Sequence, residues 1–284
     1  MYTMSALKEI KQVNLSESEK TLIEKGWSAD VANNVIISRV LYNSEGYLVD
    51  GYIAEPKSSE TKRYPLILWN RGGDEKNGRL DDFLASGILG EIASWGYLVV
   101  ASQYRQKDEF GGRDIGDILN ILKIGMKMPA FDGENIGVEG WSRGGMMTYQ
   151  LLTKLSFLKC AIVVAGLADL RSNFEKNSKL KDKFYGLFKG ADEKKILEEI
   201  GKRSAVDFFE SIRPEVPLLM IHGTADDKVS YQDSVQMYKK LSEYIRAELR
   251  LETIENGDHY LRKERNTVRK LRRDWFYKYL KLNK

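Results

Sequence analysis

From Asn34 the chain alternates short apolar runs with longer amphipathic stretches, and this pattern predicts most of its elements. Residues 35–42 and 47–54 alternate apolar and polar positions, with Ser44-Glu45-Gly46 between them, and predict two antiparallel strands joined by a tight turn. After Pro65 the runs become continuously apolar: 66–69, 97–101, 136–140, 161–164, 218–221 and 249–254. Such runs suit strands buried on both faces of a parallel sheet. Between and after them, helical periodicity covers 81–94, 113–127, 143–155, 231–242 and 261–280. Strand-helix alternation of this kind predicts a doubly wound α/β fold with eight strands, two antiparallel and six parallel, and helices on both faces.

Two segments stand outside the alternation. Residues 1–34 predict a helical extension; Ser16-Glu17-Ser18-Glu19 has the form of a capping box, and Gly26 ends the helix it starts. Residues 169–212, between the sixth and seventh strands, are long, polar and charged, with helix-like pieces such as 191–200. They predict a helical cap or lid inserted into a catalytic domain of residues 35–284.

Composition narrows the classes little. The 284 residues carry 45 cations and 41 anions, a net charge of +4, which gives no general argument for a nucleic-acid partner. The basic run Arg262, Lys263, Arg265, Arg269, Lys270, Arg272 and Arg273 reads as the solvated face of a C-terminal helix whose buried face is Trp275, Phe276, Tyr279 and Leu280. One cysteine, Cys160, permits no internal disulfide and reads as a buried small hydrophobe. The first 25 residues are interrupted by charge, and no run approaches a membrane span, so a soluble cytoplasmic protein is expected. Two histidines and one cysteine, far apart, make no zinc pattern, and no metal or cofactor is expected.

The strongest chemical signal is Gly140-Trp141-Ser142-Arg143-Gly144-Gly145, a G-x-S-x-G pattern between a buried strand and a helix. It resembles the nucleophile elbow of α/β-hydrolases, a turn so sharp that side chains two positions either side of the serine would collide. Ser142 is the expected nucleophile. A serine hydroxyl needs a general base, and the chain offers His222 and His259. The α/β-hydrolase order of serine, acid and histidine selects His259, because only it leaves room for an acid after the seventh strand. His222 reads as a structural histidine supporting the acid loop. The carboxylate candidates are Asp226 and Asp227, then Asp258 and Asp169. Oxyanion donors are expected from the Arg143 backbone N–H and from Asn70-Arg71-Gly72-Gly73-Asp74, with Gly73 N–H favoured. The sequence leaves the Arg143 side chain as either a substrate contact or a solvated charge.

Together these residues resemble the catalytic domain of the prolyl oligopeptidase family of serine peptidases and its esterase-like relatives. The elbow is similar to the family's G-x-S-x-G-G-x-M. His222-Gly-Thr-Ala-Asp-Asp-Lys-Val229 resembles its acid motif, whose first aspartate maps to Asp226, and Gly257-Asp258-His259 resembles its histidine loop. Arg203-Ser204-Ala205 is similar to a segment the family places before the seventh strand. The likeness runs from about residue 35 to 284 and implies a triad of Ser142, Asp226 and His259.

Three features depart from the family. The chain leaves no room for its β-propeller, Arg71 stands where an aromatic or histidine is usual, and the paired glutamates of dipeptidyl members are not identifiable. The expectation is therefore a serine hydrolase that forms an acyl-enzyme on a small ester, with short peptides as the alternative substrate. Its partners are that small molecule and, in an oligomer, a second copy of the chain. A non-catalytic binding protein on this scaffold would need a broken triad, and no member is missing.

Overall fold

The computed structural model describes residues 6–57, 62–74, 77–280 and 282. They fall into two compact units, residues 1–138 with 273–284 and residues 139–272.

The first unit contains β1 (Leu7–Gln12), β2 (Val35–Ser44), β3 (Tyr47–Pro56), β4 (Tyr64–Asn70), β5 (Leu98–Ser102) and the start of β6 (Phe131–Trp141), in the sheet order β1-β2-β3-β5-β4-β6. β2 and β3 form the expected hairpin, paired from Val35↔Pro56 to Ser44↔Tyr47. Glu45 and Gly46 at its tip both take positive φ, as a two-residue primed turn requires. β3 runs antiparallel to β5, and β4 parallel to β5. Every residue of β4 and β5 is buried, which is why those segments read as unbroken apolar runs. A buried ion pair, Arg105 to Asp117 at 2.8 Å, ties the loop after β5 to α4 (Ile115–Gly125). Arg105 also reaches Glu45 in the hairpin turn at 2.9 Å.

The strand count exceeds the expected eight by one. β1 pairs antiparallel with β2 in the segment expected to be helical, ahead of α1 (Glu17–Gly26) and α2 (Ala29–Asn33). Its sequence, Leu-Lys-Glu-Ile-Lys-Gln, gives no alternating apolar face, because only Leu7 is even half-buried and the other five residues are exposed. Backbone pairing at an edge needs no apolar face, so periodicity could not reveal it. The capping box on α1 forms as read, with Glu19 N–H donating to Ser16 Oγ and Ser16 N–H donating to Glu19 Oε2 at 2.8 Å.

The second unit contains the end of β6, α5 (Arg143–Lys154), β7 (Cys160–Val164), β8 (Leu218–Gly223), α10 (Tyr231–Ser242), β9 (Leu249–Ile254) and the start of α11 (Arg265–Tyr279), with β7, β8 and β9 parallel. Cys160 is buried in β7. The polar stretch after β7 forms α6 (Leu170–Lys176), α7 (Ser178–Leu187), α8 (Glu193–Gly201) and α9 (Ala205–Phe208). Among the described residues no helix is long and apolar enough to cross a membrane.

Asp233, buried on α10, anchors the start of this helical insertion. Its Oδ2 accepts Asn173 Nδ2 at 2.8 Å and Asp169 N–H at 3.4 Å. Burial pushes its carboxyl up to about 6, against the lowering effect of those two bonds. The native state therefore holds a proton that the unfolded chain releases near its ordinary value of about 4. Stability from this group is full below that value and declines as pH rises to about 6. Asp233→Asn cannot titrate, so its stability relative to the native protein should be higher at pH 8 than at pH 4 by about 2 kcal/mol. Urea unfolding at the two pH values checks this, and an equal difference at both would contradict it.

Candidate active site

The elbow is built by steric exclusion. Ser142 joins β6 to α5 with φ 56° and ψ −122°, a conformation that costs a non-glycine residue about 1–2 kcal/mol. Backbone bonds hold it there: Ser142 N–H donates to Val164 O at 2.9 Å, and its carbonyl accepts Gly145 N–H at 2.9 Å and Leu167 N–H at 3.2 Å. A Cβ at Gly140 would stand 2.1 Å from Gly144 O, so only glycine permits the turn. The Arg143 side chain is buried at 2% exposure, which removes the reading of it as a solvated charge. Its backbone opens α5, and the positive end of a helix dipole favours negative charge.

Beside the nucleophile position lies a contact set that the sequence reading missed. Glu139, fully buried on β6, accepts Trp141 Nε1 at 2.9 Å and Arg272 Nε at 3.0 Å on the same oxygen. The Arg272 guanidinium lies 5.9 Å from the Trp141 ring centroid. This fixes the indole next to Ser142. The Glu-x-Trp spacing was visible, but its partner is 133 residues away in sequence.

The acid and base loops meet through a second glycine contact. A Cβ on Gly223, the last residue of β8, would stand 2.1 Å from Gly257 O. Ala225 N–H donates to that same oxygen at 3.0 Å. The loops after β8 and β9 therefore touch backbone to backbone. This brings Asp226 Oδ2 within 2.8 Å of His259 Nδ1. The same oxygen lies 3.0 Å from His222 Nε2. Asp226 Oδ1 accepts the N–H groups of Lys228 at 2.8 Å and Val229 at 2.9 Å. Burial alone would raise the Asp226 carboxyl, but the bonds from His222, His259 and Val229 outweigh it and hold the group well below the usual carboxylate range.

The proton positions follow from the partners. Asp226 is ionised and only accepts, so His259 carries a hydrogen on Nδ1, the tautomer that in a neutral ring leaves Nε2 as the acceptor. His222 Nε2 also faces Val229 O at 3.1 Å, an atom that only accepts, so Nε2 is the protonated nitrogen there too. Its Nδ1 meets Ser234 Oγ at 2.6 Å. His222 thus braces the acid.

The other candidate acids are occupied elsewhere. Asp227 is exposed and pairs with Lys228 at 3.1 Å, Asp258 accepts Tyr260 N–H at 3.1 Å, and Asp169 caps α6. Among the described residues hydrogen bonds join Asp226 to both histidines, and none joins Ser142 to His259. Gly73 lies in the first unit, in the loop after β4, with φ +73°. Among the described residues no three His, Cys, Asp or Glu side chains are grouped as metal ligands.

Residues 93–283 match the prolyl oligopeptidase family. The chain belongs to that family. It is accordingly a serine hydrolase with the α/β-hydrolase fold. Among its curated relatives is an uncharacterized peptidase of Bacillus subtilis, YtmA, 28% identical over 229 residues, which cover 78% of this chain and 86% of the relative. A second B. subtilis uncharacterized peptidase, YuxL, is 25% identical over 96% of this chain but only 44% of its own length. The solved acylaminoacyl peptidase of Pyrococcus horikoshii superposes with a TM-score of 0.75 at 21% identity, over 96% of this chain and 46% of that one. The chain thus spans less than half the length of YuxL and of the P. horikoshii enzyme.

The glycine contact yields a test. Gly223→Ala should separate the acid and histidine loops, lower stability by about 2 kcal/mol and lower kcat by about 10². Thermal unfolding and ester turnover measured on the same preparation check both. Wild-type turnover in the variant would show that this contact does not position the pair.

Proposed function

We propose that this family member works through an acyl-enzyme on Ser142, with His259 as base and Asp226 as the acid that orients it. The observation that carries the reading is the Asp226–His259 hydrogen bond at 2.8 Å, which places the hydrogen of a neutral imidazole on Nδ1 and leaves Nε2 as the acceptor. In this scheme Nε2 takes the Ser142 Oγ proton as the hydroxyl attacks the carbonyl carbon. The tetrahedral oxygen is stabilised by the Arg143 N–H, with the Gly73 N–H as the second donor expected from the sequence. Collapse breaks the bond to the leaving group, which takes the proton from His259. Water then repeats the sequence on the acyl-enzyme and frees the acid product. His222 holds Asp226 and touches no reacting atom.

Short peptides are the substrate class we favour. The relatives reported above carry peptidase names, and so does the matched family. A small ester is the second reading. It is supported by Arg71, which stands where the family usually carries an aromatic or histidine before the loop glycines and is only 1% exposed. We read residues 169–212 as a lid on a catalytic domain of residues 35–284, with residues 1–34 as a packing extension.

Ser142→Ala should lower kcat by roughly 10⁴ to 10⁶ with the fold intact, and Asp226→Asn by about 10⁴. A panel of p-nitrophenyl esters and aminoacyl-p-nitroanilides, with fluorophosphonate labelling followed by peptide mapping, tests the site and ranks the substrates. Retained turnover in Ser142→Ala, or a label on another residue, would sink the assignment. A preference for esters over anilides greater than the preference of free hydroxide would reverse the substrate order.

A further inference from the structure

We infer that Tyr260 and Arg262 form a leaving-group subsite that selects substrates with a carboxylate on that side of the scissile bond; this rests on the reading of His259 as the base. His259, Tyr260 and Arg262 all lie in the second unit, in the loop between β9 and α11. A base that returns its proton to the departing group sits within hydrogen-bond reach of it. Side chains packed beside that base are therefore close to the part of the substrate that leaves.

Tyr260 is such a neighbour. Its ring stands edge-on to His259, with centroids 5.4 Å apart and planes at 76°. Two extended residues span about 7 Å, so a leaving peptide reaches this ring within its first two residues. Tyr260 is 54% exposed beside the buried His259. The Arg262 guanidinium lies over the Tyr260 ring, 4.7 Å from its centroid.

The backbone bends to bring the two together. Leu261, between them, takes φ 49°, a left-handed value that strains a bulky residue. Its N–H donates to Asp258 O at 3.2 Å, and its side chain is buried. A Cβ on Gly257 would stand 2.7 Å from Leu261 Cδ2, so the leucine packs directly on the glycine of the histidine loop. Strained conformations persist only where the surroundings over-determine them, and they cluster where ligands are held. Leu261 thus anchors the platform inward while its two neighbours stay outside.

The guanidinium keeps its hydrogen-bonding capacity. Residues 259–265 carry Arg262, Lys263 and Arg265 against Glu264 alone, and all three cations are exposed. Among the described residues no carboxylate pairs with any of the three, whereas Arg246 has Glu215 at 2.9 Å and Lys202 has Glu199 at 2.5 Å. Stacking on Tyr260 occupies the face of the Arg262 guanidinium and leaves its edge of N–H groups for a ligand. That edge matches a carboxylate in a bidentate pair, and the two neighbouring cations favour the same sign of charge.

The test uses the full chain and three matched substrate pairs that differ only in charge on the leaving side. They are peptides with Glu or Gln directly after the scissile bond, peptides ending one residue after it in a free carboxylate or an amide, and acetate esters of para-hydroxybenzoate or para-hydroxybenzamide. In the wild type kcat/KM should favour the anionic member of at least one pair by roughly five- to tenfold, the effect of one exposed charge pair with bidentate geometry. Which pair responds tells a side-chain carboxylate from a terminal one. Arg262→Gln should bring that ratio to within about twofold of one, and Arg262→Glu should reverse it. Arg246→Gln, which removes an exposed cation elsewhere, should leave the ratio at its wild-type value.

No anionic preference in any pair, a ratio unmoved by Arg262→Gln, or an equal fall in Arg246→Gln would each overturn the inference. Ser142→Ala separates the subsite from the reading beneath it. An inactive Ser142→Ala beside a wild type with no charge preference rejects the subsite alone, whereas turnover retained in Ser142→Ala rejects the whole site.

Discussion

Backbone pressed against backbone, at points where no side chain fits, is the constraint on which the site's geometry depends. At the elbow Gly140 meets the carbonyl of Gly144, and between the acid and histidine loops Gly223 meets the carbonyl of Gly257. Neither contact contributes much apolar burial. Each holds its loops close because its neighbours are main-chain atoms that cannot rotate away. The first contact permits the left-handed Ser142, and the second accompanies the approach of His259 to Asp226. These candidate groups therefore stand at strand ends.

Electrostatics then refines what sterics has placed. Asp226 receives four donors on its two oxygens: His222, His259, Lys228 N–H and Val229 N–H. A carboxylate so surrounded stays ionised and cannot swing away from the imidazole it orients. The second histidine is part of that surround, since its own hydrogen is fixed by Val229 O and its other nitrogen by Ser234. Elsewhere buried ions tie distant segments together. Glu139 with Arg272 fixes the indole of Trp141, and Arg105 with Asp117 and Glu45 ties a hairpin turn to a helix. Buried pairs of this sort are weak evidence of stability, because desolvation offsets the attraction. Here their visible effect is on geometry.

Arg71 shows how one buried cation can organise a loop. A buried guanidinium with carbonyl partners on three residues constrains a loop in the way a short stretch of secondary structure would. In the loop between β4 and α3 (Asp82–Ser94), Arg71 and Gln103 bond to backbone groups of Gly72, Asp74 and Leu80.

The sequence by itself determined the α/β alternation, the β2–β3 hairpin, the capping box on α1 and the G-x-S-x-G turn, because each depends on residues within a few positions of one another. It also named His222 as a support for the acid loop, although the bond from His222 to Asp226 had to be seen in space. β1 escaped because an edge strand bonds through its backbone and shows no apolar face. Glu139–Arg272 and the meeting of Gly223 with Gly257 escaped because their partners are distant in the chain. The inward turn of Arg71 escaped because its partner Gln103 is distant in the chain. The motif resemblance pointed to Asp226 among four aspartates, but only the tertiary structure shows its bond to His259, and the physical reason is that pairing across loops depends on where strand ends lie in space, which local pattern does not encode.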